Sequence, residues 1–208
     1  KKKVIEELSK QVNKWIFVVN LPVFILIFVF PGDVINILFG TEYLIAENSL
    51  RILSLGLLIY SMSLVSNHLV LARGESRITL VNIVIASIVN IILNFILIPM
   101  NNIIGLDNTN GLAGASFATM ISVILLSILF VLQGRYYAGI IPFRRKILNI
   151  FISGLMSVYL LIYLRNYFSS DIFSIFIISL IFLAVYLFLV LLFRSLDRSD
   201  WEILKNLI

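Results

Sequence analysis

Charged residues interrupt this sequence only at intervals, leaving six long uncharged runs: Trp15–Gly32, Ile52–Ala72, Ile78–Leu106, Asn108–Gly134, Ile147–Leu164 and Ile172–Phe193. A helix rises about 1.5 Å per residue, so about 20 apolar residues cross a hydrocarbon core of about 30 Å. Strands of a membrane barrel would alternate apolar and polar positions over about ten residues, and no run does so. Pro99 and the turn-forming stretch NNIIGLDNTN end the third span near Ile98, and the fourth then runs from about Gly111 to Leu132. The pattern predicts an all-α polytopic membrane protein with six transmembrane helices. Asn20 and Pro22 interrupt the first span, and Pro31-Gly32 ends it. A helix broken in this way can mark a gate or an unwound site, although membrane helices also tolerate proline.

The flanks read differently. Val4, Ile5, Leu8 and Val12 share one helical face, with lysine and glutamate opposite. Ser199 and Glu202 have capping-box spacing ahead of Ile203, Leu204 and Leu207. Each flank is expected either to rest on the inner leaflet or to form an ordinary solvated loop helix. Residues 1–14 are thus a cytoplasmic amphipathic segment, 15–134 and 135–193 hold the spans, and 194–208 form an amphipathic tail. The chain opens on Lys1 without an initiator methionine or signal pattern, and is expected to be part of a longer protein.

Composition agrees with the pattern. Hydrophobic residues make up 61% and charged residues 13% of the chain, whereas a soluble domain is about half apolar and a quarter charged. The mean hydropathy is +1.07. There is no cysteine and a single histidine, which excludes a disulfide framework, a thiolate site and a histidine metal cluster. No cofactor is expected. The net charge of +5 comes from sixteen lysines and arginines. With the N-terminus in the cytoplasm, every one of them except Arg51 and Arg165 lies on the inner side. Asp33, Glu42, Glu47, Asp107 and Asp171 fall on the outer side. This is the positive-inside bias, and it makes the basic surplus an orientation signal, not a nucleic-acid footprint. The chain is expected in the cell membrane with both ends cytoplasmic.

Enzymatic chemistry finds little support. The span interiors hold no Asp, Glu, Lys or Arg, the outer acids show no catalytic spacing, and no nucleotide-binding motif is present. The polar positions within the spans carry more. In the third span Asn82, Ser87, Asn90 and Asn94 fall within an arc of about 140°. Amides in hydrocarbon need partners, so this stripe faces other helices or a wet cavity; it binds a sugar or headgroup, or it glues helices together. In the second span Ser54, Ser61 and His68 recur every seventh residue, and Tyr60, Ser63 and Asn67 form another stripe. His68 is either a proton-coupling group or a structural residue near a helix end. Arg51, in the first turn of that helix, either holds a phosphate or pairs with Glu47 one turn earlier. Gly111, Ala115 and Gly114, Ala118 stand four residues apart, which suits close helix contact, with Thr119 and Ser122 nearby.

Together these stretches resemble the C-terminal part of the oligosaccharide flippases, within the superfamily that also holds the multidrug and toxin extrusion transporters. The resemblance is carried by ILFGTEY at Ile37–Tyr43, LRILSLG at Leu50–Gly56, LARGESR at Leu71–Arg77, VNIILNFILIP at Val89–Pro99 and GLAGASFAT at Gly111–Thr119. It covers about Trp15 to Leu132, and an Asp200-Trp201-Glu202 ending agrees beyond that. It implies two lobes of about six helices, with this chain supplying most of the second lobe plus trailing helices. It also implies a polyprenyl-diphosphate-linked oligosaccharide as substrate, moved from the inner to the outer leaflet. The partners implied are that lipid-linked glycan, membrane lipids and an N-terminal lobe of the same protein. Arg51, His68, Asn82, Asn90 and Asn94 are the candidate substrate-binding residues. A cation-coupled multidrug exporter and a non-transporting scaffold for glycan assembly are the alternatives.

Overall fold

The computed structural model describes residues 2–103, 105–144, 146–165 and 172–193. Arg145, Arg194, Arg198, Lys205, Asp171 and the capping-box tail lie outside the described residues, as do the side chains of Asp107 and Arg165. The helices are α1 (Lys2–Val29), α2 (Pro31–Phe39), α3 (Glu47–Leu71), α4 (Ser76–Leu97), α5 (Leu112–Gln133), α6 (Lys146–Arg165) and α7 (Ile172–Leu192). A 3₁₀ helix at Thr41–Ala46 leads into α3, and a π-helical turn at Gly134–Ala138 follows α5. Between α4 and α5, β1 (Asn102–Ile103) pairs antiparallel with β2 (Leu106–Asp107). Among the described residues, six helices are long and apolar enough to cross a membrane, beginning at Lys2, Thr41, Ser76, Leu112, Lys146 and Phe173. The chain is an all-α polytopic membrane protein, and each expected span has its helix.

Two local features differ from the expectation, and a third decides between the alternatives for Pro22. The second membrane helix starts at Glu47, so Arg51 stands in its second turn, not its first. The amphipathic start and the first span form one uninterrupted helix, α1. And α1 passes through Pro22 without a break.

The chain divides into two compact units, one holding the described residues of Lys1–Ile25 and Phe143–Ile208, the other Leu26–Pro142. The first unit explains the intact proline. Pro22 has no N–H, so the carbonyl of Val18, four residues earlier, loses its helical partner. The hydroxyl of Tyr186 on α7 donates to that carbonyl at 3.0 Å. Tyr186 is fully buried, stacked on Phe182 at 6.3 Å between ring centres. On the α6 side, Gly154 meets Leu21, where an added Cβ would stand 2.7 Å from Leu21 Cδ2. Further along α1, Val4, Ile5, Leu8 and Val12 are exposed while Ser9, Gln11, Asn13 and Lys14 are buried. That is the reverse of how a water-solvated amphipathic helix places its faces.

In the second unit α3 and α5 pack through small residues. An added Cβ at Gly56 would stand 3.2 Å from Met120 Cα, and one at Gly134 would stand 2.9 Å from Ser66 Cβ. Such close backbone approach replaces the hydrophobic drive that lipid cannot provide. Helix α4 lies to one side of this pair, and only 11% of its most apolar stretch is buried. Leu80, Ile88, Ile92 and Phe95 project outward from it.

Candidate membrane-embedded binding groove

Two clamps hold α4 to α5. At the end nearer the α3–α4 turn, the side-chain amides of Asn82 and Gln133 bond each other reciprocally, with Gln133 Nε2 donating to Asn82 Oδ1 at 2.8 Å. Asn82 is buried. Thr79 Oγ1, one turn earlier, donates to Asn67 Oδ1 of α3 at 2.8 Å. At the other end Asn108 works as a clasp. Its Nδ2 donates to the Leu97 and Ile98 carbonyls at 2.9 and 3.1 Å, adding to the coverage of carbonyls at the end of α4. Its Oδ1 accepts from the Gly114 N–H at 2.8 Å, satisfying an open donor in the first turn of α5. Gly114 itself lies against the Leu97 backbone, and an added Cβ would stand 2.6 Å from the Leu97 carbonyl carbon. The chain reaches this contact through Asn110 and Gly111, both at positive φ (55° and 74°).

Between the clamps, which stand about 23 Å apart along α4 and about 28 Å apart along α5 at helical rise, the two helices leave a groove of about 320 Å³. Ile83, Ile91, Val123 and Leu126 form its walls, and Ser87, Asn90, Thr119 and Ser122 give it a polar strip. A second hollow of about 460 Å³, lined by Ile91, Asn94, Phe95, Ile98 and Pro99, continues along α4. Thr119 and Ser122 donate their hydroxyl protons to the Ala115 and Ala118 carbonyls of their own helix, at 2.9 and 2.8 Å. Their oxygens keep acceptor capacity. Asn94 Nδ2 donates to Asn90 Oδ1 at 2.9 Å, and Asn90 Nδ2 reaches Thr119 Oγ1 at a long 3.4 Å. The strip therefore offers amides and hydroxyls without any ionisable group. It can exchange hydrogen bonds with a hydroxyl-rich ligand and offers no side chain for an ion pair.

The five sequence candidates separate in space. Asn90 lines this groove and Asn94 the adjoining hollow, whereas Asn82 is occupied by Gln133 at one end. Arg51 is at the far end of α3 from His68, about 26 Å away along the helix. Its Nε donates to the Phe28 carbonyl at 3.1 Å, its Nη1 to Asn48 Oδ1 at 3.3 Å, and its Nη2 to Glu47 Oε1 at 3.0 Å. The guanidinium also lies 5.9 Å from the Phe28 ring centre. A cation bonded to a last-turn carbonyl of α1 complements the negative end of that helix. His68 is exposed in the last turn of α3. The hydroxyls of Ser54, Ser61 and Ser63 bond back to carbonyls of their own helix. Among the described residues, no group of three or more His, Asp or Glu could hold a metal ion.

Sequence reasoning missed Gln133 and Asn108. Gln133 closes the fourth run next to Gly134 just as Asn82 follows the LARGESR turn, so two lone amides at one membrane depth were a readable signal. Asn108 stood inside a stretch already assigned to turn chemistry, which hid its separate role.

Comparison with known proteins bears on the class of the chain. Residues 1–96 match the family described as MatE, a domain of the multidrug exporter superfamily. An uncharacterized membrane protein of Methanocaldococcus jannaschii is 31% identical over 104 residues, which is 50% of this chain and 20% of that protein. The chain thus corresponds to about a fifth of the length of the curated relative it matches. No solved structure matches it.

Proposed function

We propose that this chain is part of a membrane exporter, and that the α4–α5 groove receives the neutral glycan portion of a polyprenyl-diphosphate-linked oligosaccharide as it moves between leaflets. The observation that carries the reading is the uncharged strip of Ser87, Asn90, Thr119 and Ser122, held open between two clamps. Sugar hydroxyls exchange hydrogen bonds with amides and hydroxyls, and Ile83, Ile91, Val123 and Leu126 offer apolar faces to pyranose rings. The match to a family of exporter domains supports the transport class. The cation distribution supports an orientation with both ends of the chain in the cytoplasm. In this reading the diphosphate is recognised by another part of the protein, because Arg51 already serves Glu47, Asn48 and the Phe28 carbonyl.

The test uses the intact protein in liposomes with a fluorescent lipid-linked oligosaccharide. Asn90→Leu combined with Thr119→Val is expected to slow transfer by on the order of tenfold or more, at about fivefold per lost hydrogen bond. Unfolding in detergent should stay within about 1 kcal/mol of the parent, because the Asn90–Thr119 contact is long. An unchanged transfer rate refutes the groove assignment. Movement of a cationic dye in exchange for Na⁺ or H⁺, with no movement of the glycan, replaces the proposal with a multidrug exporter. Movement of neither leaves the scaffold reading.

A further inference from the structure

The end of the second unit that carries the α3–α4 turn combines cations and aromatics in a way the groove does not use. Arg73 sits in that turn, Arg77 lies in the first turn of α4, and Arg135 lies in the π-helical turn after α5; all three are exposed. Two contacts place these segments at one end: the Asn82–Gln133 amide pair and the close approach of Gly134 to Ser66. Among the described residues of the two turns, Glu75 is the only acid. Tyr136, beside Arg135, is 80% exposed and meets Tyr137 edge-on at 4.9 Å between ring centres. One turn further into the helices, Leu71, Leu80 and Leu132 are exposed as well.

We infer that this end is a contact surface for the headgroups of anionic phospholipids. Along the helix axes the exposed leucines stand one turn inside the guanidiniums, and the phenol of Tyr136 stands beside Arg135. Apolar side chains followed by arginine and tyrosine match the passage from acyl chain to headgroup, where tyrosine and arginine each have their most favourable place. Arginine binds phosphate oxygens through a planar fork of donors, which favours a phosphodiester over diffuse attraction. The adjoining leucines select a lipid over a soluble anion, because a soluble anion leaves them against water. The inference does not depend on what the protein transports.

Native mass spectrometry of the intact protein, released from nanodiscs of mixed phosphatidylglycerol and phosphatidylcholine, tests it. The unsubstituted protein is expected to retain phosphatidylglycerol preferentially. R73Q/R77Q/R135Q should lower that retention by on the order of a hundredfold, at about fivefold per cation near an anionic surface. K2Q/K3Q/K10Q, which removes the same charge from the start of α1, should lower it by less than the arginine variant does. Tyr136→Ala should weaken retention and Tyr136→Trp should preserve it. Equal retention of the two lipids by the unsubstituted protein overturns the inference, as does an equal loss in the lysine control. Full displacement of the lipid by millimolar inorganic phosphate also overturns it, since the site would then be one for free anions. If the glutamine variant does not fold, R73K/R77K/R135K and the two-lipid comparison on the unsubstituted protein decide the matter.

Discussion

Tyr186 is expected to stabilise this protein because of a proline 164 positions earlier in the sequence. Removing its hydroxyl with Tyr186→Phe keeps the ring, its stacking on Phe182 and nearly all of its buried volume. What is lost is the 3.0 Å bond to the Val18 carbonyl, which Pro22 cannot replace. A buried carbonyl left without a partner costs about 1–3 kcal/mol, and single hydrogen bonds within membrane bundles are worth about 0.6 and at most about 1.7 kcal/mol. The expected loss is therefore about 1–1.5 kcal/mol. The discriminating measurement is a double-mutant cycle, followed by denaturant unfolding of the intact protein in micelles. In a Pro22→Ala background residue 22 regains an N–H that can serve Val18, so the cost of Tyr186→Phe should fall below about 0.5 kcal/mol. A coupling of about 1 kcal/mol is thus the signature of the proline. If Tyr186→Phe costs the same in both backgrounds, the hydroxyl does not compensate for Pro22 and the account of α1 is wrong.

Three further outcomes test the second unit. Gly114→Ala puts a methyl into the Leu97 backbone and should destabilise by about 2–3 kcal/mol while loosening the α4–α5 contact, which a disulfide cross-linking rate between those helices would register. Asn82→Leu and Gln133→Leu should each cost about 1–2 kcal/mol, whereas the pair together should recover most of that loss; additive costs would show that the two amides do not act as one unit. Ser66 Oγ is buried with no hydrogen-bond partner among the described residues, so Ser66→Ala should leave unfolding unchanged or raise stability by up to about 1 kcal/mol, and a loss above 1 kcal/mol would refute this reading.

The amide stripe of α4 gains a division of labour from these contacts. Sequence spacing placed Asn82, Asn90 and Asn94 on one arc and left both glue and ligand binding open for all three. In the fold Asn82 is glue, bound to Gln133, while Asn90 lines the groove, Asn94 lines the adjoining hollow, and both retain hydrogen-bonding capacity. The same helix face therefore supports both descriptions at different depths. The two clamps hold α4 and α5 together at their ends, and the groove lies between them.

The sequence by itself determined the spans, because the transfer of a segment into hydrocarbon is close to a local sum over its own residues and bilayer thickness sets its length. Pro99 and the Asn-rich turn were legible for the same reason, as were the small residues of GLAGASFAT, since backbone geometry and side-chain size belong to one position at a time. Only the tertiary structure decided what the polar groups do. Tyr186 meets Val18 across a separation of 168 residues, and Gln133 meets Asn82 across 51. Arg51 is satisfied in part by the carbonyl of Phe28, a group every residue possesses and no pattern distinguishes. In hydrocarbon a polar atom must find a partner, but the sequence states only the need. The packing of helices that are distant in the chain supplies the partner.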